Sequence, residues 1–147
     1  MDKELLDLMN RINRGIIKCR GIYSAWSGIH GIRYHEMLVL YTIREYGYCT
    51  QKQVCDSYLL PKQTIHNVIA AMRQNGILVP DETHSKGREK AFILSGKGKT
   101  YAADFLKSLD MVEGRALELL GKEKLQTLTE LLFAFDSALD TALEETR

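Results

Sequence analysis

The sequence predicts a mainly α-helical protein with a small β-hairpin wing, built as a winged helix-turn-helix with N- and C-terminal dimerisation helices. Apolar residues recur at three-and-four spacing along most of the chain, as they do in amphipathic helices. Two short runs rich in branched residues, ILVP and AFILS, enclose a polar stretch and predict one hairpin. For a chain of 147 residues we expect a single domain over 1–147, with dimerisation helices at 1–30 and 101–147 around a winged-helix core at 33–100.

The first two helices are predicted at residues 2–28 and 33–46. Leucine, isoleucine and aromatic residues keep helical spacing in the first, although Gly15 and Gly21 each weaken it by about 1 kcal/mol relative to alanine. An amphipathic helix this long and this far from the centre of the chain usually packs on a partner. Gly47 is a natural stop for the second helix.

Two shorter helices come next. Thr50 and Gln53 form a capping-box pattern, in which the hydroxyl caps one backbone amide and the glutamine reaches back to another, so a helix of roughly 50–58 is expected. Pro61 can stand in the first turn of the following helix, where its missing N–H costs nothing, and Gly76 ends that helix. Two short helices joined by a tight turn indicate a helix-turn-helix.

The second of these helices carries the strongest functional signal. Its apolar residues form one narrow stripe, while its other face carries hydrogen-bonding and cationic side chains and no acid: Lys62, Gln63, Thr64, His66, Asn67, Arg73 and Gln74. A short helix of this kind fits a DNA major groove, where Gln, Asn and Arg can read base edges. An ordinary solvated helix would usually mix Glu and Asp among its Lys and Arg, so the pattern favours a DNA-reading helix.

A hairpin with a basic tip follows. The polar stretch DETHSKGRE is predicted to be a flexible loop between the two strands, and its tip carries Lys86, Arg88 and Lys90. A basic hairpin directly after a helix-turn-helix is a wing, and an arginine at its tip suits a narrow minor groove. The charge agrees with this interpretation. Residues 50–100 hold eight Lys or Arg and four Asp or Glu, a balance of +4, whereas residues 101–147 hold five and ten, a balance of −5.

Two long helices are predicted at the C-terminus, over 97 to about 120 and over 122–145, with Ser95 as an N-cap and Gly121 as the break between them. Long helices at both ends do not fit inside a winged-helix core, so their apolar faces need another surface. A two-fold homodimer supplies that surface and pairs two DNA half-sites.

Several function classes are disfavoured. There is no Gly-rich phosphate loop, nucleophile elbow or pair of carboxylates in a cleft, so we expect neither an enzyme nor a cofactor. No metal site is expected, because the four histidines are scattered without ligand spacing in the helical arms. The sequence contains no run of about 18 apolar residues, so no membrane span is expected. Three cysteines without CxxC spacing favour a reduced, cytoplasmic protein.

Taken together, these segments resemble the MarR family of winged-helix transcriptional regulators over nearly the full chain. The resemblance rests on YHEMLVLYTI in the second helix, TQKQVC in the third, TIHNVIAAMRQNGIL in the recognition helix, and Arg88 followed by ILSGKG at the end of the wing. It implies a triangular homodimer on a pseudo-palindromic operator in double-stranded DNA, with recognition helices in successive major grooves and wing arginines in the minor grooves.

The resemblance also implies roles for individual residues. By position, the residues that would face bases or phosphates are Lys62, Gln63, Thr64, His66 and Asn67, with Arg73 as a further phosphate contact. Arg88 matches the family's wing arginine. The family usually has an aspartate two residues earlier that helps to hold the wing, but Lys86 stands there, which puts that brace in doubt and adds a phosphate contact. Cys55 occupies a small core position and is expected to be buried.

Members of this family often release DNA when a small phenolic or other amphipathic ligand binds between the dimer arms and the winged helix. The residues that could line such a cleft here are Tyr23, Trp26, His30, Tyr34 and Tyr41, although aromatic residues at this spacing are also typical of core packing. Some relatives sense oxidants through a cysteine in the first helix, where Cys19 lies. A lone cysteine on an apolar face is more often a packing residue. Cys49 is expected to be the more exposed thiol.

Three functions therefore stay open. The leading one is a homodimeric, sequence-specific DNA-binding transcriptional regulator, most often a repressor in this family, that a small ligand releases. The second is a winged-helix module that binds another protein, and the third is a thiol-based oxidant sensor.

Overall fold

The protein is described here by a computed structural model that covers residues 2–147. Its elements in chain order are α1 (Lys3–Ile29), α2 (Tyr34–Tyr46), β1 (Cys49–Thr50), α3 (Gln51–Tyr58), α4 (Lys62–Gln74), β2 (Leu78–Lys86), β3 (Glu89–Leu94), α5 (Gly96–Leu120) and α6 (Lys122–Glu145). The strands form one antiparallel sheet in the order β1-β3-β2. The predicted fold class, mainly helical with a small β wing, is confirmed.

The chain divides into two compact units, one ending at Phe105 and one beginning at Leu106. The first unit contains the winged-helix core, whose fully or almost fully buried side chains include Met37, Leu40, Val54, Ile65, Met72 and Phe92. The second unit contains the rest of α5 and all of α6. The prediction of one domain with dimerisation arms stays a prediction, and Met1, the first residue of the predicted arm, lies outside the described residues. No helix within residues 2–147 has the length and apolar character needed to cross a membrane.

Local sequence signals account for the boundaries of several helices. The Thr50 hydroxyl accepts a hydrogen bond from the Gln53 amide, and the Gln53 side chain accepts one from the Thr50 amide, each at 3.0 Å. This is the predicted capping box, and α3 begins directly after it. Gly47 ends α2 in the left-handed conformation, with φ of 83°. The predicted start of α3 and the predicted end of α2 are therefore both observed.

The turn between α3 and α4 differs in detail from the prediction. Pro61 is the N-cap of α4, with ψ of 136°, and not a residue of its first turn. Because ψ of Pro61 is extended, the helical conformation begins only at Lys62. Leu59 closes α3 in the left-handed region, with φ of 48°, and its side chain is 87% exposed. A leucine is unusual in this conformation, because its Cβ approaches the following carbonyl oxygen.

The hairpin is longer than predicted, and the predicted flexible loop over residues 81–89 is wrong. β2 continues to Lys86 and β3 begins at Glu89, so only Gly87 and Arg88 form the turn. A bulge between Asp81 and Lys86 interrupts the pairing. Polar side chains usually signal a loop, but here they bond to the backbone of the bulge: the Ser85 hydroxyl donates to the Asp81 carbonyl at 2.7 Å. β1 was also not predicted, since a two-residue strand has no periodicity.

The start of α5 is held tightly against the end of α4 and the start of β2. The Ser95 amide donates to the Ile77 carbonyl, and the Gly98 amide donates to the Ser95 hydroxyl, each at 2.9 Å. The second bond supports Ser95 as the predicted cap. A Cβ at Gly98 would lie 2.1 Å from the Ile77 carbonyl oxygen. Only glycine allows this approach without movement of the backbone.

Candidate nucleic-acid interface

Helix α4 separates its buried and polar residues as the sequence predicts. Ile65, Ile69 and Met72 are buried, and Gln63 and Asn67 are exposed on the other side. The Gln63 Nε2 donates a hydrogen bond to the Asn67 Oδ1 at 2.8 Å, one turn further along. The two amides therefore form a linked pair on the exposed surface of the helix.

A groove with a volume of about 780 Å³ lies between α3, α4 and β3. Five predicted DNA-binding residues line it: Lys62, His66, Arg73, Arg88 and Lys90. Lys52 also lines it and was missed, since nothing in the sequence marks which face of α3 turns toward the wing. Counting Lys52, the lining has five lysines and arginines against two carboxylates, Asp56 and Glu89. The groove therefore favours an anion, and its length along α4 suits a phosphate backbone.

Two contacts organise the charges within this groove. The Arg73 guanidinium lies over the Phe92 ring, 5.1 Å from its centroid, which directs it toward the wing side of α4. The Lys52 ammonium is paired with Asp56 one turn along α3, and this hydrogen bond raises the pKa of Lys52. The positive charge of Lys52 is thus offset by an acid within α3, whereas the Arg73 guanidinium lies against an aromatic ring.

The wing presents the other predicted cations. Lys86, Arg88 and Lys90 are all exposed, around a turn at Gly87 with φ of 56°. The start of β3, directly after this turn, is tied to β1, where the Thr50 hydroxyl donates to the Glu89 Oε1 at 2.7 Å. Among the predicted DNA-binding residues, Thr64 is half-buried at the start of α4.

A different acid holds the wing in the place of the missing aspartate at position 86. The Asp81 carboxylate accepts a hydrogen bond from the Thr83 amide at 3.0 Å and a second from the His84 ring. The bond from His84 lowers the pKa of Asp81. The His84 ring stacks on Tyr48, with centroids 4.0 Å apart and planes 13° from parallel. We call Tyr48, Asp81 and His84 the wing brace.

Comparison with known proteins places this architecture. No protein-family model matches the chain, and no curated protein matches it. Among solved structures, NMB1585, a MarR family regulator from Neisseria meningitidis, matches with 26% identity and a TM-score of 0.84, over 100% of both chains. The chain is therefore similar, over its full length, to a MarR family regulator.

Two further MarR-like structures share the fold at lower identity. NadR in complex with 4-hydroxyphenylacetate is 17% identical with a TM-score of 0.71, over 84% of this chain and 91% of its own. The organohalide-sensing regulator RdhR-CbdbA1625, in its 2,4-dichlorophenol-bound form, is 14% identical with a TM-score of 0.64, over 90% and 80%. Both of these structures contain a small ligand, and both share the fold of this chain.

The five aromatic residues predicted to line a ligand cleft lie in close packing contacts. Tyr23 meets the edge of Tyr41, with centroids 6.4 Å apart, and Trp26 lies 4.7 Å from His30. The Tyr34 ring lies under the Arg20 guanidinium at 5.1 Å. The structure therefore brings four of them together in two pairs, whereas Tyr34 contacts Arg20. Their role in ligand binding stays a prediction.

The chain has a second cavity, of about 600 Å³, between α2, α4 and α5. Val68, Met72 and Ile77 give it an apolar floor, and Arg33 and Lys97 lie on its walls. The Tyr101 hydroxyl at its edge donates to Glu36 at 2.8 Å, and burial, followed by this acid, raises the pKa of Tyr101 to about 12. We call this cavity the α2–α4–α5 cleft. None of the five predicted aromatic residues lines it.

The cysteines differ from one another in exposure. Cys19 is exposed on α1, whereas Cys49 is completely buried and burial raises its pKa to about 12. The expectation that Cys49 is the more exposed thiol is wrong, because its residue pairs with Phe92 inside the sheet. Cys55 is buried, as its small core position implied. Within residues 2–147 no three His, Cys, Asp or Glu side chains gather as metal ligands would.

Proposed function

We propose that this MarR protein is a homodimeric, sequence-specific DNA-binding transcriptional regulator that acts as a repressor in the cytoplasm and leaves its operator when a small ligand binds. The observation that carries the proposal is the basic groove between α4 and the wing, beside an exposed row of amides on α4. Lysines and arginines would bind phosphates and set the register of the complex, while side chains of α4 read bases.

Homodimer formation is supported by apolar surface in each unit. In the first unit, α1 exposes Ile22 and also Ile17, which is 70% exposed. In the second unit, α6 exposes Leu131 and also Phe133, which is 71% exposed. Rows of large apolar side chains on helices mark interaction surfaces in soluble proteins. A second copy of the chain would cover them and present two recognition helices to two half-sites.

Ligand release is supported by the α2–α4–α5 cleft. Its volume lies within the range of about 300–1,000 Å³ that small-molecule sites have, and its apolar floor, with two cations and the Glu36 carboxylate, suits a small amphipathic ligand. The bound forms of NadR and RdhR-CbdbA1625 hold phenols. A ligand in this cleft would touch Asn67 and Met72 of α4 and could favour one position of that helix.

Release can be tested with 4-hydroxyphenylacetate as the probe. We expect it to lower the anisotropy of the protein–DNA complex, and Arg33→Gln to raise the concentration that is needed. Trp26→Leu is the matched variant that tests the alternative site, formed by the aromatic residues of α1 and α2. If Trp26→Leu abolishes the response and Arg33→Gln does not, the effector site lies with those aromatic residues.

DNA binding itself is tested by fluorescence anisotropy with DNA from the region upstream of the protein's own coding sequence and with a scrambled duplex. With about five cations per protomer, we expect binding to fall on the order of a thousandfold or more between about 50 and about 200 mM salt. We also expect the upstream duplex to bind more tightly. Weak binding that ignores both salt and sequence would instead support a module that binds another protein.

An oxidant-sensing role is favoured by one observation, the exposure of Cys19 on α1. Thiols react as thiolates and must be accessible, so Cys19 is the candidate and the buried Cys49 is not. Mass spectrometry after mild peroxide treatment would detect a sulfenic acid. If Cys19 stays reduced while the protein keeps its DNA affinity, this alternative is excluded.

A further inference from the structure

We infer that the outermost line of α4 reads A·T base pairs in the major groove. The inference rests on the proposed DNA binding and names the sequence class that the same site would prefer. It concerns four exposed residues that we call the α4 ridge: Gln63, Asn67, Ala70 and Gln74.

The positions of these residues follow from helix geometry. Residues three or four apart lie one above another on an α-helix, so the α4 ridge forms a single line. It faces away from the buried stripe of Ile65, Ile69 and Met72. If α4 enters a groove, the ridge is therefore the part that goes deepest and meets the base edges.

The basic side chains of α4 lie to one side of this line. Lys62, His66 and Arg73 line the basic groove toward the wing, where Ala70 of the ridge borders it, and Arg73 is additionally held over Phe92. From there they would meet the phosphates of the backbone. None of the four residues of the α4 ridge carries a charge.

This separation matters because bases differ in what they present in the major groove. Guanine presents two acceptors, O6 and N7, and is read mostly by arginine or lysine, which supply two donors. Adenine presents one donor at N6 and one acceptor at N7, and is read by asparagine or glutamine. An uncharged row of amides therefore suits adenine better than guanine.

The hydrogen bond within the ridge strengthens this preference. Because Gln63 Nε2 donates to Asn67 Oδ1 at 2.8 Å, the linked pair keeps Gln63 Oε1 as an acceptor and Asn67 Nδ2 as a donor. One acceptor beside one donor is the complement of the adenine edge. Against guanine, the acceptor would oppose O6, and two lone pairs would face each other.

Ala70 adds the second half of the base pair. Its methyl group is exposed between the amides of Asn67 and Gln74 on the same line. Thymine carries a C5-methyl group in the major groove, and alanine makes an apolar contact with it. A row of amide, amide, methyl and amide thus fits a run of A·T pairs.

The test begins with selection from a pool of random duplexes by the full-length protein, followed by anisotropy on the selected duplex. We expect A·T pairs at the centre of each half-site. Replacing a contacted adenine by 7-deazaadenine removes the N7 acceptor, and we expect about a tenfold loss of affinity. Replacing a contacted thymine by uracil should cost less, and that cost should vanish in Ala70→Gly.

Variants separate the ridge from its neighbours. Asn67→Arg, or Gln63→Lys if the first variant folds poorly, is expected to shift the selected base toward guanine. Lys62→Gln is the matched control, and should weaken binding to all duplexes alike without changing the selected bases.

Two results would overturn the inference, and they differ from each other. Selection of G·C pairs at the half-site centres, or indifference to 7-deazaadenine, would reject A·T reading while leaving DNA binding intact. Failure to bind any duplex at low salt would reject the proposed function and the inference with it.

Discussion

The recognition helix and the wing are held in place by different kinds of contact. In α4, each side chain's direction follows from the helix itself, and the link between Gln63 and Asn67 spans a single turn. The wing depends on partners far away in the sequence, since Glu89 bonds to Thr50, 39 residues earlier, and His84 stacks on Tyr48. A substitution on α4 should therefore act locally, whereas one at these long-range contacts should move the wing as a whole.

The largest expected effect is at the junction where both regions meet. Gly98→Ala would place a Cβ 2.1 Å from the Ile77 carbonyl oxygen, and the backbone must move to admit it. We expect the free energy of unfolding to fall by about 3 kcal/mol, measured by urea denaturation. Gly96→Ala, where a Cβ meets nothing within 4 Å, is the control. Equal stability of the two variants would contradict the close contact.

The next effect separates phosphate contacts from base contacts. Arg88→Ala on the wing should weaken binding to specific and scrambled DNA equally, because a minor-groove cation reads charge and width. Asn67→Ala on α4 should cost about 1–3 kcal/mol on the specific duplex only. Anisotropy on both duplexes measures the difference, with Lys124→Ala on α6 as a control cation. Equal losses on both duplexes for Asn67→Ala would remove the distinction.

The wing brace should contribute to DNA affinity by holding Arg88 in position. His84→Leu removes both the bond to Asp81 and the polar ring that stacks on Tyr48, so we expect DNA affinity to fall by about 1 kcal/mol. In the Arg88→Ala background the same change should cost nothing, because a wing without its arginine gains little from being held. Tyr48→Phe keeps the stacking and should resemble the unaltered protein. Additive losses would show that His84 acts independently of the wing tip.

Acid should weaken the brace in a defined window. His84 lowers the pKa of Asp81 from its ordinary value of 3.8, so the folded state favours the carboxylate. The stabilisation from this carboxylate is present above its ordinary pKa and is lost as the pH falls through the lowered pKa. The difference in unfolding free energy between the protein and Asp81→Asn should thus shrink as the pH falls below about 4. Glu82→Gln, exposed on the same strand, should show no such window if the effect belongs to the brace.

The smallest effect is expected in the turn before α4. Leu59 has φ of 48°, a conformation that costs a residue with a Cβ roughly 1–2 kcal/mol. Leu59→Gly relieves this strain but loses more chain entropy on folding, so we expect a net gain of about 0.5 kcal/mol in thermal unfolding. Leu59→Ala keeps the Cβ and should not gain. A gain in both variants would point to the exposed side chain as the source instead.

Helical parts of the molecule could be predicted closely because their periodicity records burial. The predicted sixth helix, 122–145, has the observed bounds of α6, and the stripe of Ile65, Ile69 and Met72 is buried as expected. Thr50 and Gln53 marked the start of α3 through chemistry that lies within four residues. In each case the determining contacts are local, so the sequence contains them.

The remaining features could not be predicted because they depend on distant residues. The run from Asp81 to Lys86 has the composition of a loop, and only its pairing with β3 and its bonds to side chains make it a strand. The stacking of His84 on Tyr48 could not be predicted, because Tyr48 lies 36 residues earlier, between α2 and β1. The α2–α4–α5 cleft is likewise assembled from three separate helices and the segment between α4 and β2.

The close approach at Gly98 has a meaning for evolution. Nineteen of the twenty amino acids would force Ile77 and the start of α5 apart, so a lineage that keeps this junction keeps a glycine there. A related sequence with another residue at the aligned position must have rebuilt the passage from the recognition helix to α5. The residue at this single position therefore indicates whether a related protein has kept this junction or replaced it.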